Sequence, residues 1–199
     1  MYDAYSRMEI LLGQKGVNRL STAKIAVFGL GGAGSYTVEA LARCGVGSLT
    51  LVDHEAITVT DINRQLYALQ PTIGHKKVQI AKERVHNIDE DILVHTYETY
   101  YNEDTMGLFD LKAYDYIVDA MDTVSSKILL IEQAQKYQVP VISCLDMGNK
   151  LTPSSLEIMD ISRVAADPAV KKMRAELRRK GVRRLKVLCS REHSRRGFE

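Results

Sequence analysis

Little in this sequence points to a membrane, a secretory route or a metal cage. No apolar run approaches the roughly 18 residues that a membrane-spanning helix needs. The opening Met-Tyr-Asp-Ala-Tyr-Ser-Arg also lacks the basic-then-apolar order of a secretory signal. Those absences lead us to expect a cytoplasmic protein. Cysteine is scarce: Cys44, Cys144 and Cys189 lie far apart and form no CxxC pair, which argues against a zinc site and a disulfide framework. Repeats, low-complexity tracts and Gly/Ser linkers are missing too, so 199 residues with 45% apolar and 26% charged side chains read as one globular domain, 1–199.

The net charge of +2 hides a division along the chain. Residues 1–162 hold 14 basic and 21 acidic side chains, whereas 163–199 hold 13 and 4. A basic segment that includes Arg191, Arg195 and Arg196 suits a polyanion such as RNA, because neutralising phosphates releases condensed counterions; a solvated charged face accounts for the same charge count. Within it, Asp167 as a cap, Pro168 at a first helical position, the stripe Val170, Met173 and Leu177, and Gly181 as a stop predict a helix. We expect a basic C-terminal helical arm over about 163–199, packed on the domain.

Upstream, strands and helices alternate. Residues 24–29 read as a strand, 35–43 as a helix and 48–53 as the next strand, which completes a βαβ unit. A helix over 77–85, strands over 92–97 and 116–120, a helix over 127–137 and strands over 139–144 and 185–189 follow. This order predicts an α/β, Rossmann-like, doubly wound fold with a largely parallel sheet covered on both faces.

Between the first strand and helix stands Gly29-Leu-Gly-Gly-Ala-Gly34, a GxGxxG turn. Missing β-carbons at Gly29, Gly31, Gly32 and Gly34 let backbone amides approach a phosphate at the positive end of the helix. Asp53 ends the next strand 24 residues after Gly29, near the roughly 20 expected for a carboxylate that binds a ribose hydroxyl. Together they imply a nucleotide and leave NAD and ATP both open. A purely structural glycine turn is the plain alternative, which the strand–turn–helix context disfavours.

Three further stretches gather at the carboxyl edge of such a sheet, where open α/β folds bind ligands: Asp61-Ile-Asn63-Arg64-Gln65, Lys76-Lys77 and Val118-Asp119-Ala-Met-Asp122. Two cations and an extra carboxylate are superfluous for a dinucleotide. For a triphosphate they are useful: Arg64 and Lys77 can hold β and γ oxygens, and Asp122 can hold a bridging metal ion. The arrangement favours ATP. Lys76 competes with Lys77, and Asp119 competes with Asp122; we prefer Asp122 because it falls at the strand exit. His75 reads as a loop residue, not a base.

At these residues the chain resembles a known family, the adenylyltransferases related to ubiquitin-activating enzymes that include ThiF, MoeB and HesA. The resemblance runs from about Tyr5 to Pro153, through Tyr-Ser-Arg7, Gly-Leu-Gly-Gly-Ala-Gly34, Leu-Val-Asp53, Asn-Arg-Gln65, Gly-His-Lys-Lys77 and Asp-Ala-Met-Asp122. It implies that Asp53 binds the ribose, that Asp61, Asn63 and Gln65 line the nucleotide site, that Arg64 and Lys77 hold the phosphates and that Asp122 holds magnesium. Arg7 is then a finger that reaches across a homodimer interface into the neighbour's ATP site.

Within the family the chain is most similar to the branch of tRNA threonylcarbamoyladenosine dehydratases. Met147-Gly-Asn-Lys-Leu-Thr-Pro153, Ile158-Met-Asp-Ile-Ser162, Asp167-Pro168 and Leu-Lys-Val-Leu-Cys-Ser-Arg-Glu192 carry that resemblance, together with the missing zinc cysteines. The implied substrate is tRNA carrying threonylcarbamoyladenosine, with sulfur-transfer proteins as further candidate partners. The sequence departs from the family pattern at Ala4, at Asp61, where an asparagine is common, and at Asp146, where a small residue is usual. Three other readings stand beside this one: a sulfur-carrier activator of ThiF or MoeB type, an NAD-dependent oxidoreductase, and a non-catalytic RNA-binding or scaffold protein. Cys189 invites a covalent step, but the substrate can supply its own nucleophile; Cys44 and Cys144 read as core residues.

Overall fold

The computed structural model describes residues 4–164 and 168–192. Its centre is a seven-stranded sheet in the order β3-β2-β1-β4-β5-β7-β6. The strands are β1 (Lys24–Phe28), β2 (Ser48–Val52), β3 (Leu93–Tyr97), β4 (Tyr116–Asp119), β5 (Val141–Cys144), β6 (Leu156–Asp160) and β7 (Lys186–Ser190). All neighbours pair in parallel except β6, which runs antiparallel to β7. The helices are α1 (Ser6–Thr22), α2 (Gly32–Arg43), α3 (Lys77–Ile88), α4 (Val124–Lys136) and α5 (Pro168–Arg179). The α/β, doubly wound reading therefore stands.

The sequence of β1 explains its place at the centre. Lys24-Ile-Ala-Val-Phe28 is apolar on both faces after its first residue, as a strand covered on both sides must be. Ile25 and Val27 join Val38 and Ala42 of α2 and Val78, Ala81 and Val85 of α3 in one core. Ala26 and Phe28 face the other way, against Ile117 of β4, Leu130 and Ala134 of α4, and the rings of Tyr101 and Phe109. Phe28 meets both rings edge-on, at 5.1 and 5.4 Å between centroids. A third core joins Ile128 and Ile131 of α4 to Met173 and Leu177 of α5 and to Val187 and Cys189 of β7.

Several boundaries differ from the sequence expectation. α2 begins at Gly32 rather than 35, because the glycines of the turn themselves take up the first helical positions. α4 begins at Val124, three residues early, and β5 at Val141, two residues late, after Gln138 turns the chain at φ 59°. α1 and β6 carry no expectation from the sequence. α1 is broken at Gly13 (φ 68°) and buries no residue, so no apolar face marks it. β6 exposes Leu156 and Ile158. Asp167, Arg195 and Arg196 lie outside the described residues. Cys44 and Cys144 are only half-buried, a correction to their reading as core residues; Cys189 is the buried thiol.

Candidate functional site

β1 hands the chain to α2 through the glycine turn, and each glycine has a distinct reason to be there. Gly29 has φ 89°, and a β-carbon on it would sit 2.6 Å from the Ala120 carbonyl oxygen. On Gly34 a β-carbon would sit 1.9 Å from the Gly29 carbonyl oxygen, so the helix can close onto the turn only without a side chain. Gly31, by contrast, faces open space. It is the N-cap of α2, and no side chain caps the helix or places acid in its first turn. The positive end of α2 is thus left for an anion.

β2 ends beside this turn. Asp53 is buried, and its carboxylate accepts from the Leu30 N–H at 2.7 Å and the Glu55 N–H at 2.9 Å. The chain then passes through a short 3-10 helix, Val59–Asp61, to the Asn63-Arg64-Gln65 segment. Ser35 of α2 fastens the residues just beyond that segment: its hydroxyl accepts from the Leu66 N–H at 3.2 Å and its carbonyl from the Tyr67 hydroxyl at 2.9 Å. The side chain of Arg64 consequently lies across Gly32, with Cγ 3.8 Å from where a β-carbon would stand.

Asp61 organises this segment. Thr58 donates to one oxygen through its N–H at 2.9 Å and its hydroxyl at 3.0 Å, while Gln65 at 2.8 Å and Arg64 at 3.2 Å donate to the other. Burial pushes the Asp61 carboxyl up, but the Thr58 bonds and the Lys77 and Arg64 charges outweigh it and hold the group below its ordinary value. Four donors on two oxygens answer what the departure from asparagine does here: the carboxylate anchors the segment.

Lys77 opens α3 and is buried, whereas Lys76 is exposed and donates to the His54 carbonyl. The Lys77 ammonium pairs with Glu55. On the far side of the turn, β4 delivers Ala120 against Gly29, and Asp122 follows, exposed, taking a 3.3 Å bond from the Thr123 hydroxyl. Asp119 is committed elsewhere. It is fully buried, with Lys127 Nζ 3.2 Å from both oxygens and further bonds from Ser143 and the Met121 N–H. Burial pushes Asp119 up, against the Lys127 charge and those bonds. Lys127 also donates to the Cys144 carbonyl at 2.7 Å, which ties β4 to the start of the stretch after β5. There Asp146 accepts from the Gly148 N–H, and Glu192 accepts from the Leu151 and Thr152 N–H groups at 2.9 and 2.7 Å.

Gly29, Gly31, Gly32, Gly34, Asp53, Asp61, Asn63, Arg64, Gln65, Lys77 and Asp122 thus meet at the carboxyl edge of β1, β2 and β4. This is the switch point where the strand order reverses. Arg7 is not among them. Tyr5 packs its ring on Gly45, just past the end of α2, and its hydroxyl donates to Asp89 at the end of α3. That places Arg7, exposed on α1, near the far end of a twelve-residue helix, roughly 18 Å from the glycine turn of its own chain. Sequence reasoning missed Glu55, Ser35 and Lys127. Only Glu55 carries a signal, an acid two residues past a strand-ending aspartate.

Comparison with known proteins agrees with this geometry. Residues 5–149 match the ThiF family. A tRNA threonylcarbamoyladenosine dehydratase of Bacillus subtilis is 39% identical over 92% of this chain and 72% of its own length; one from Escherichia coli is 32% identical over 84% and 63%. The chain thus spans less than two thirds of the E. coli relative. The crystal structure of E. coli tRNA N6-threonylcarbamoyladenosine dehydratase, TcdA, in complex with ATP is similar at a TM-score of 0.89 and 28% identity, covering 95% of this chain and 81% of that one. A nucleotide edge built this way, matched over most of its length, has one conclusion: the chain belongs to the ThiF family.

Proposed function

We propose that this chain is an ATP-dependent tRNA threonylcarbamoyladenosine dehydratase that works as a cytoplasmic homodimer. The observation that carries the reading is the meeting of an uncapped helix N-terminus with Arg64 and Lys77 at one sheet edge. A dinucleotide leaves those cations without a task, which disfavours the oxidoreductase reading. The names of the similar proteins and the ATP complex of TcdA support the same assignment.

In this reading Asp53 turns from the Leu30 N–H to a ribose hydroxyl, and the α2 amides receive the phosphates. Arg64 and Lys77 balance the charge that builds on the departing pyrophosphate. A magnesium ion suits Asp122, whose exposed carboxylate stands just past the Gly29 contact. Among the described residues no cluster of three or more ligating side chains exists, so one carboxylate would share the ion with phosphate oxygens and water. When bound, the ion supplies positive charge to the phosphates.

The threonyl carboxylate of the modified nucleotide attacks the α-phosphorus. One P–O bond forms while the bond to the bridging oxygen breaks, and pyrophosphate leaves. A neighbouring atom of the same substituent then closes a ring on the acyl carbon, giving up its proton to solvent, and expels AMP, which carries away the carboxylate oxygen. ATP becomes AMP and pyrophosphate, and the nucleoside loses the elements of water. No protein thiol is needed. Burial pushes both Cys144 and Cys189 up, away from the reactive thiolate.

Arg7 acts on the neighbouring subunit, because its own chain holds it at the opposite edge. Ile10, Leu11 and Leu12, all exposed on α1, suit burial in that interface. The basic segment, with Lys171, Lys172, Arg178, Arg179, Arg183 and Arg184 exposed, suits the tRNA backbone. Pyrophosphate release tests the reading: it should require ATP and tRNA bearing the modification, and release that ignores the modification would contradict it.

A further inference from the structure

We infer that Glu55, outside every nucleotide motif, is a positioning residue: its carboxylate holds the Lys77 ammonium at the phosphate edge and so sets the affinity for the β- and γ-phosphates. The inference rests on the reading of Lys77 as a phosphate ligand. The Lys77 side chain is only 3% exposed, while that of Glu55 is 52% exposed. A lysine stem has many rotamers in water, and an ammonium that must meet phosphates from a buried position needs a fixed partner to hold it there.

Glu55 is suited to be that partner because its own backbone is fixed on both sides. Its N–H donates to Asp53 Oδ1 at 2.9 Å, and its carbonyl accepts from the Lys77 N–H at 3.1 Å. The next residue, Ala56, bridges antiparallel to Lys76. One residue therefore touches the expected ribose carboxylate through its amide and the expected phosphate lysine through its side chain. The two phosphate cations are treated alike: Asp61 holds Arg64 and Glu55 holds Lys77. Each cation is aimed before the nucleotide arrives, which is where preorganisation yields affinity.

Glu55→Gln removes the charge and leaves both backbone bonds in place, and the half-exposed position makes a folded variant the expected product. Calorimetry with ATP and with AMP, beside the melting temperature of the free protein, reads the effect. AMP lacks the phosphates that Lys77 would hold. We expect ATP to bind about tenfold more weakly, as for loss of a charge-assisted bond, with AMP affinity changed by less than about twofold and the melting temperature nearly unchanged. Unchanged ATP affinity, or equal weakening of ATP and AMP, would overturn the inference. Lys77→Ala separates the two levels: if it weakens ATP while Glu55→Gln does not, only the role of Glu55 falls; if it leaves ATP binding intact, the phosphate reading of Lys77 falls with it.

Discussion

The Arg64 guanidinium lies 3.2 Å from the Asp61 carboxylate, and that carboxylate is also the acceptor that closes the turn beginning at Thr58. In the proposed reading, phosphate binding and local folding therefore share one side chain. Asp61→Ala should cost roughly 2 kcal/mol, from the lost cap and the buried Gln65 amide left without its acceptor. Asp61→Asn, with one acceptor oxygen in place of two, should fall between. Urea unfolding of the three proteins checks the order.

The same group sets a pH dependence. Asp61 and Asp160 are held below their ordinary value of 3.8, and Glu39 below 4.5, where burial opposes but does not outweigh the Arg84 and Arg43 bonds. For Asp160 the desolvation cost is outweighed by bonds from Ser162 and Leu185. A depressed carboxylate stabilises the fold fully above its unfolded value, and that contribution is lost as pH falls through the folded one. The contribution of these three carboxylates should be full above those ordinary values and drop below them. Asp61→Ala should show a shallower acid drop than the parent protein in thermal melts taken down the acid range.

The glycine turn separates fold from binding. Gly34→Ala drives a β-carbon into the Gly29 carbonyl, so it should unfold or severely destabilise the protein. Gly31→Ala meets no protein atom within 4 Å and has φ −71°, so its melting temperature should stay close to that of the parent. If the phosphates lie against this turn, the added methyl group crowds them, and ATP affinity should fall about tenfold or more. Thermal shift with and without ATP distinguishes the two effects.

Most of this edge was legible in the sequence because its signals are local. A GxGxxG turn between a β-rich run and a helical pattern fixes its own geometry, and Asp53, Arg64, Lys77 and Asp122 follow strand ends or open a helix. Lys127 was not legible, since it acts through Asp119 across the fold, and Glu55 carried only its place two residues past Asp53, because its partner Lys77 lies 22 residues away. α1 was missed because its exposed face reads as neither core nor loop, and β6 because its apolar Leu156 and Ile158 are the exposed positions while Glu157 and Met159 are half-buried, so polarity does not track burial along the strand.

Arg7 supplies a test of sharing between subunits. Arg7→Ala and Asp122→Ala should each be nearly inactive alone, the first by about three orders of magnitude if the finger acts on the phosphoryl transition state. Mixed and allowed to exchange subunits, they should recover activity, because one site in each mixed dimer is intact. Absence of recovery in a verified heterodimer would show that Arg7 does not act across the interface.

The basic segment makes a separate claim about tRNA. If its cations neutralise phosphates, log affinity should fall with log salt by roughly 0.9 per duplex contact. Arg183→Ala with Arg184→Ala, both exposed, should flatten that slope by about two such units while leaving ATP affinity unchanged. Filter binding across a salt series reads it directly.

The central claim is that ATP is spent to remove water from a nucleoside in tRNA. The protein, ATP, magnesium and tRNA carrying threonylcarbamoyladenosine are incubated together, and the nucleoside is released and weighed by mass spectrometry. We predict a nucleoside lighter by the mass of one water, with AMP formed in equal amount. AMP formation with a nucleoside of unchanged mass would contradict the dehydration, and no ATP consumption at all would contradict the adenylate on which it depends.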